Sequence, residues 1–213
     1  LFRKGILEPL TMKEFVAQIS ETSYNAVHEN ILPLEEVAHG PGGTHALVHP
    51  FFSRTLEGVM RDKRRPDLPI RLDMIQKVLN ALAFAHNYTA MDGTPRKTYH
   101  LQLQSNLVFV SNDYKRLQIA GFGHSQIYRN ILRTKQPRWQ DPGMNPQFMP
   151  PEFFRSKANI KEKAADIYSL GILIYYMATG EYPFEGPAFD DYKFQHIRIF
   201  AAPPRLIDPT IPD

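Results

Sequence analysis

The stretch Asp166-Ile-Tyr-Ser-Leu-Gly-Ile-Leu-Ile-Tyr-Tyr-Met-Ala-Thr-Gly-Glu-Tyr-Pro-Phe184 decides how this chain reads. Its uncharged part, Ile167 to Ala178, is the longest apolar run in the sequence and falls well short of the roughly 20 residues that span a membrane. A run of that length and composition predicts a helix buried on all sides in a protein core, over Ala164 to Gly180.

C-terminal to it, the pattern predicts one helix, Asp190 to Phe200, and a proline-rich tail. On the N-terminal side lies a long irregular stretch, Gly123 to Pro151, whose Pro137, Pro142, Pro146 and Pro150 exclude a helix interior. Loops of this length in a compact domain are usually functional or mobile. Before it, Leu107 to Val110 and Arg116 to Ala120 read as a small hairpin turned by Ser111-Asn112-Asp113, which can present both its ends to one site. Ile70 to His86 keeps a clean 3.6-residue period, and Leu56 to Met60 begins a short helix followed by the solvated patch Arg61 to Arg65. Gly40-Pro41-Gly42-Gly43 separates two β-prone runs, Ile31 to Val37 and His45 to Phe51, as in a hairpin. Thr11 to Val27 reads as an amphipathic helix, with Thr11 and Glu14 forming a capping box.

Composition narrows the classes further. The 213 residues are 43% apolar and 22% charged, ordinary values for a globular domain. A net charge of +3 is too small to suggest nucleic acid as a partner. The absence of cysteine excludes disulfides, thiolate metal sites and a Cys nucleophile, and fits a reducing cytoplasm. The start at Leu1 shows no signal-type segment and reads as a fragment boundary, so the chain is expected to be one module of a longer one.

Three motifs follow one another in a telling order: His100-Leu-Gln-Leu-Gln-Ser-Asn106-Leu107, then Leu117-Gln-Ile-Ala-Gly121-Phe122-Gly123, then Phe148-Met-Pro-Pro-Glu152 followed by Asp166-Ile-Tyr-Ser-Leu-Gly. Together they resemble the C-terminal lobe of the eukaryotic-type protein kinases, with its H-R-D…N catalytic loop, D-F-G, A-P-E and the D-x-W-S-L-G start of a buried helix. The resemblance extends over most of the chain, taking the Thr11 helix as αC and Ile70 to His86 as αE. It implies that His100, Phe122 and Asp166 form a structural spine and that Glu152 is the A-P-E carboxylate, whose usual arginine partner near the end of the domain is either absent or outside this sequence.

The departures fall on the charged groups. Gln102 stands where the family places the aspartate that accepts the substrate proton, and a neutral amide is no base at physiological pH. Gly121 stands where an aspartate holds Mg²⁺. Gln104 replaces the lysine that neutralises the transferring phosphoryl group, and Leu101 replaces the arginine that reads a phosphorylated activation loop. Asn106 follows His100 by six positions instead of the family's seven, which implies a loop one residue short around the second metal ligand. No glycine-rich loop precedes the first helix, and Lys4 is the one candidate for the phosphate-pairing lysine, with Gln18 or Ile19 near its partner's place and Glu21 two positions away.

The eight histidines include no H-E-x-x-H pair and no ligand-spaced set with carboxylates, so no metal is assigned. Arg129, Arg133, Lys135 and Arg138 read first as a solvated basic loop and second as a site for an acidic partner. Trp139 and Tyr128 are equally suited to anchor an interface or to pack the loop on its own lobe. No G-x-S-x-G elbow exposes a serine.

The reading is an α+β protein-kinase-like fold, with residues 1–55 as a reduced N-lobe-like region and 56–213 as the C-lobe. Retained packing beside deleted charges implies a catalytically inactive domain that acts as a scaffold or allosteric regulator of another protein, without cofactor or metal. Tyr192, in the predicted Asp190 helix, joins Trp139, Tyr128 and Arg133 as a candidate partner contact; Lys4 and Asn106 are the candidate nucleotide contacts. The alternative is an atypical ATP-dependent phosphotransferase that uses displaced carboxylates such as Asp113 or Asp141.

Overall fold

In the computed structural model, the residues described are 27–41, 44–124, 145–154 and 161–211. The predicted Thr11 helix, Lys4, Gln18, Ile19, Glu21, Asp141 and the loop residues Tyr128, Arg129, Arg133, Lys135, Arg138 and Trp139 lie outside them.

The first hairpin is β1 (Glu36–Gly40) against β2 (Thr44–Val48), antiparallel with Val37 opposite Leu47 and Ala38 opposite Ala46. The predicted first strand is displaced toward the C-terminus. Ile31, Leu32 and Leu34 are apolar because they are buried, whereas Pro33 has no N–H for a ladder. Ile31 makes a single parallel bridge to Ile119, whose N–H donates to Asn30 O at 2.9 Å and whose carbonyl accepts from Leu32 N at 2.9 Å. At the other end, Phe51 is exposed and outside the strand.

A second sheet has the order β3 (Arg54–Thr55), β4 (Val108–Val110), β5 (Leu117–Ile119). Val108 faces Ile119 and Val110 faces Leu117, and all four are fully buried. The turn between β4 and β5 includes Tyr114 at φ 60 and closes with Ser111 N donating to Arg116 O at 2.9 Å.

Thr55 caps α1 (Leu56–Arg61), its hydroxyl accepting from Gly58 N at 3.2 Å, and α1 buries Leu56, Val59 and Met60. Helix α2 (Leu68–Asn87) starts two residues before the periodic pattern, because Pro69 is tolerated in a first turn where its missing N–H has no helical partner. Its buried Met74, Ile75, Val78, Ala81, Leu82 and Ala85 form one face, packed on α3 (Glu162–Thr179).

Helix α3 occupies the predicted place but is not buried on all sides. Lys163, Ala164, Ile167 and Gly171 form an exposed stripe, with Ile167 51% exposed, opposite the buried Ala165, Asp166, Leu170, Leu173, Met177 face. It ends at Gly180, whose φ of 83 is the left-handed cap that glycine adopts without strain. The carbonyls left open at this end accept from arginines: Thr179 O from Arg65 at 2.9 Å, Met177 O from Arg71 at 3.0 Å, and Ala178 O also from Arg71. Cations there also complement the negative end of the helix dipole.

Beyond it, α4 (Phe189–Arg198) ends two residues before the predicted Phe200. The proline-rich tail contains a further turn of helix, α5 (Pro204–Ile207), begun by Pro204. Among the described residues, no helix is long and apolar enough to cross a membrane.

Candidate functional site

Asp166, on the first turns of α3, has no exposed surface and is the centre of the site. Its carboxylate accepts from His100 N at 2.8 Å, Leu101 N at 2.6 Å and the His86 ring at 2.7 Å. A buried carboxylate needs such donors, since each missing one leaves an unsolvated lone pair. Leu101 is thereby held at φ 61, a left-handed conformation that a leucine adopts only when its surroundings impose it.

His100 is likewise buried and turns its ring toward β5. Ala120 O, 2.8 Å away, can only accept, and Gln102 N, 3.3 Å away, can only donate. The ring is therefore neutral with its proton on Nε2, and burial holds its pKa below the ordinary histidine range. Phe122 meets it edge-on at 4.9 Å between ring centroids. Ser169 on α3 donates to Phe148 O at 2.8 Å, tying the segment that carries Glu152 to the same helix. His100, Phe122, Asp166 and the Glu152 segment are thus gathered around one helix.

The cleft side is depleted of charge. Gly121 sits at φ 94, and a Cβ built on it would stand 3.6 Å from the His100 ring and 3.8 Å from Leu107 Cδ1. The side chains nearest Gly121 are therefore the His100 ring and Leu107, the residue seven positions after His100, while Asn106 is exposed on the 3₁₀ turn Ser105–Leu107. The loop keeps the family's length; the expectation of a missing residue, with Asn106 in the metal position, is corrected. Counting back from the buried strand Val108–Val110, rather than forward to the nearest asparagine, finds this register. Gln104 is buried and Gln102 is half-buried. Among the described residues, no three of His, Asp and Glu are grouped to hold a metal ion.

Next to this loop lies a polar cluster that sequence patterns do not reveal. Glu57 on α1 accepts from the Ser105 hydroxyl and, at 2.5 Å, from Tyr182, and its other oxygen pairs with Arg61 at 2.6 Å. Tyr182 stacks on Tyr176 at 3.9 Å, and burial together with the Glu57 carboxylate raises its pKa far above the ordinary tyrosine value. These residues are far apart in sequence and no periodicity links them. Asp113 sits in the β4–β5 turn, at the opposite end of the hairpin from Gly121, accepting from Ser111 Oγ at 2.6 Å and Lys115 N at 3.1 Å. Glu152 has no ion-pair partner among the described residues, and Tyr192 is half-buried 6.5 Å from the His196 ring.

A neutral histidine and a buried aspartate that clamp a catalytic-type loop to a central helix, flanked by two small antiparallel sheets, define a protein-kinase-type domain. The family described as protein kinase domain matches residues 11–209, and the chain belongs to it. Among curated proteins it is similar to Tribbles homolog 3 of Homo sapiens, 26% identical over 173 residues, which are 75% of this chain and 45% of that protein. It is also similar to the serine/threonine-protein kinase CHK1 of Saccharomyces cerevisiae, 28% identical over 64% of this chain and 25% of the relative. A third is the tyrosine-protein kinase MasK of Myxococcus xanthus, 24% identical over 87% of this chain and 28% of the relative. The chain thus spans less than half the length of these relatives.

Proposed function

We propose that this chain is a catalytically inactive protein-kinase-like domain, with residues 1–55 as a reduced N-lobe region and 56–213 as the C-lobe, that regulates or scaffolds another protein. One observation carries the reading. The four places that would hold base, phosphate-neutralising cation and both metal ligands carry Gln102, Gln104, Leu107 and Gly121, while the uncharged frame around Asp166 is intact. Phosphoryl transfer depends on positioning and charge neutralisation, and an apolar leucine facing a glycine supplies no oxygen for Mg²⁺. The reading needs neither ATP nor metal as cofactor. Relatives named as kinases favour the phosphotransferase alternative, but Asp113 is engaged in its own turn away from the cleft.

The test is phosphate transfer from labelled ATP to a general protein substrate by the full-length protein, with Mg²⁺ and with Mn²⁺. Incorporation no higher than in a control without the protein is expected, for the wild type and for Gln102→Ala alike. Turnover that Gln102→Ala leaves intact but Gly121→Ala removes would establish an unconventional enzyme and overturn the proposal.

A further inference from the structure

We infer that the exposed face of α4 is a self-association surface, on which a second copy of this chain packs antiparallel. Asp190, Phe194 and Arg198 follow one another at four-residue intervals and form one stripe of the helix, and all three are exposed, Phe194 by 59%. Neither Asp190 nor Arg198 forms an ion pair with another described residue, unlike Glu57 with Arg61 or Asp73 with Lys77. The stripe carries its acid at one end, its base at the other and an aromatic ring midway.

That order is self-complementary under a two-fold axis. With the axis through Phe194, an antiparallel partner brings its Arg198 to Asp190, its Asp190 to Arg198 and its Phe194 to Phe194. A parallel partner would set like charges together. Asp190 and Arg198 each stand about 6 Å along the axis from Phe194, by the 1.5 Å rise per residue, so one register satisfies both pairs. Just past the end of the helix, Ile199 and the almost wholly exposed Phe200 add apolar surface to such a contact, whereas Phe189 packs on Phe154 on the domain-facing side. The opposite face of α4 is occupied: His196 is buried among Phe154, Tyr168 and Phe184. Among the described residues, the helix is thus fixed to the domain by one side and exposed on the other.

A single helix and its flank form a small interface, so the association is weak, with dissociation constants in roughly the micromolar range or above. The experiment is sedimentation equilibrium of the full-length protein at low salt, up to about 300 µM, with circular dichroism to confirm folding of every variant. The wild type should show monomer–dimer behaviour, and Asp190→Arg and Arg198→Asp should each weaken dimerisation at least tenfold, because like charges then face each other. The double variant Asp190→Arg/Arg198→Asp should restore it, and Phe194→Ser should weaken it without altering the charge. A wild type that stays monomeric overturns the inference, as does a dimer insensitive to the single reversals or a double variant that fails to recover.

Discussion

Asp166 shows how far one side chain can organise this fold. Its three donors come from two segments, the end of α2 and the catalytic-type loop, and it is the acceptor that holds Leu101 in a left-handed conformation. Asparagine has one acceptor oxygen and turns an amide N–H₂ toward groups that already donate. Asp166→Asn is therefore expected to lower stability by about 2–4 kcal/mol, the scale of a buried network left unsatisfied, read as a lower urea midpoint with unchanged slope. At this scale the sequence was legible where a residue's role is carried by spacing from a motif, as for His100 and Asp166. It was misleading at Asn106, where residue type was followed instead of register. The Glu57–Ser105–Tyr182 cluster was not legible, since it joins residues through space with no local signature.

Among the elements, α4 is held by its one buried titratable group. The rings around His196 remove it from water and its pKa is lowered to about 4, while Tyr168 OH lies 2.6 Å from Nδ1 and burial raises that tyrosine to about 12. The folded state resists a proton that the unfolded chain takes up near 6.5, so stability is unaffected above that value and falls as pH drops from about 6.5 to 4. The loss is on the order of 2–3 kcal/mol. His196→Asn should flatten this part of the profile, visible as a smaller difference between urea midpoints at pH 7 and pH 4.5 than in the wild type. Element positions were readable wherever periodicity was long, as in α2 and α3. They slipped where an apolar run signalled burial rather than pairing, at Ile31 to Leu34, and where prolines open a helix instead of breaking it, at Pro204.

For the molecule as a whole, one apolar core runs from Ile31 through α1, the β3–β4–β5 sheet and α2 to α3 and Phe184. Native-state hydrogen exchange should follow it. The amides of Leu101 and of the buried face of α3 are expected to exchange only through global unfolding. Those of the β1–β2 hairpin, a separate two-stranded sheet whose β1 residues are exposed or half-buried, should exchange faster by local opening. Protection of the hairpin equal to that of α3 would show a single cooperative unit instead.

The arginine caps on α3 alter what an outside polyanion would meet. The run Arg61 to Arg65 contains four cations in sequence, yet Arg61 is neutralised by Glu57 and Arg65 is committed to Thr179 O. Lys63, Arg64 and Arg65, all exposed, are the three without an ion-pair partner among the described residues, and Asp62 lies between the ends of the run, paired with Arg54 at 3.4 Å. In counterion terms this segment would release about three condensed ions from a nucleic acid backbone rather than four, and its contribution to the salt dependence of any such encounter is correspondingly shallower.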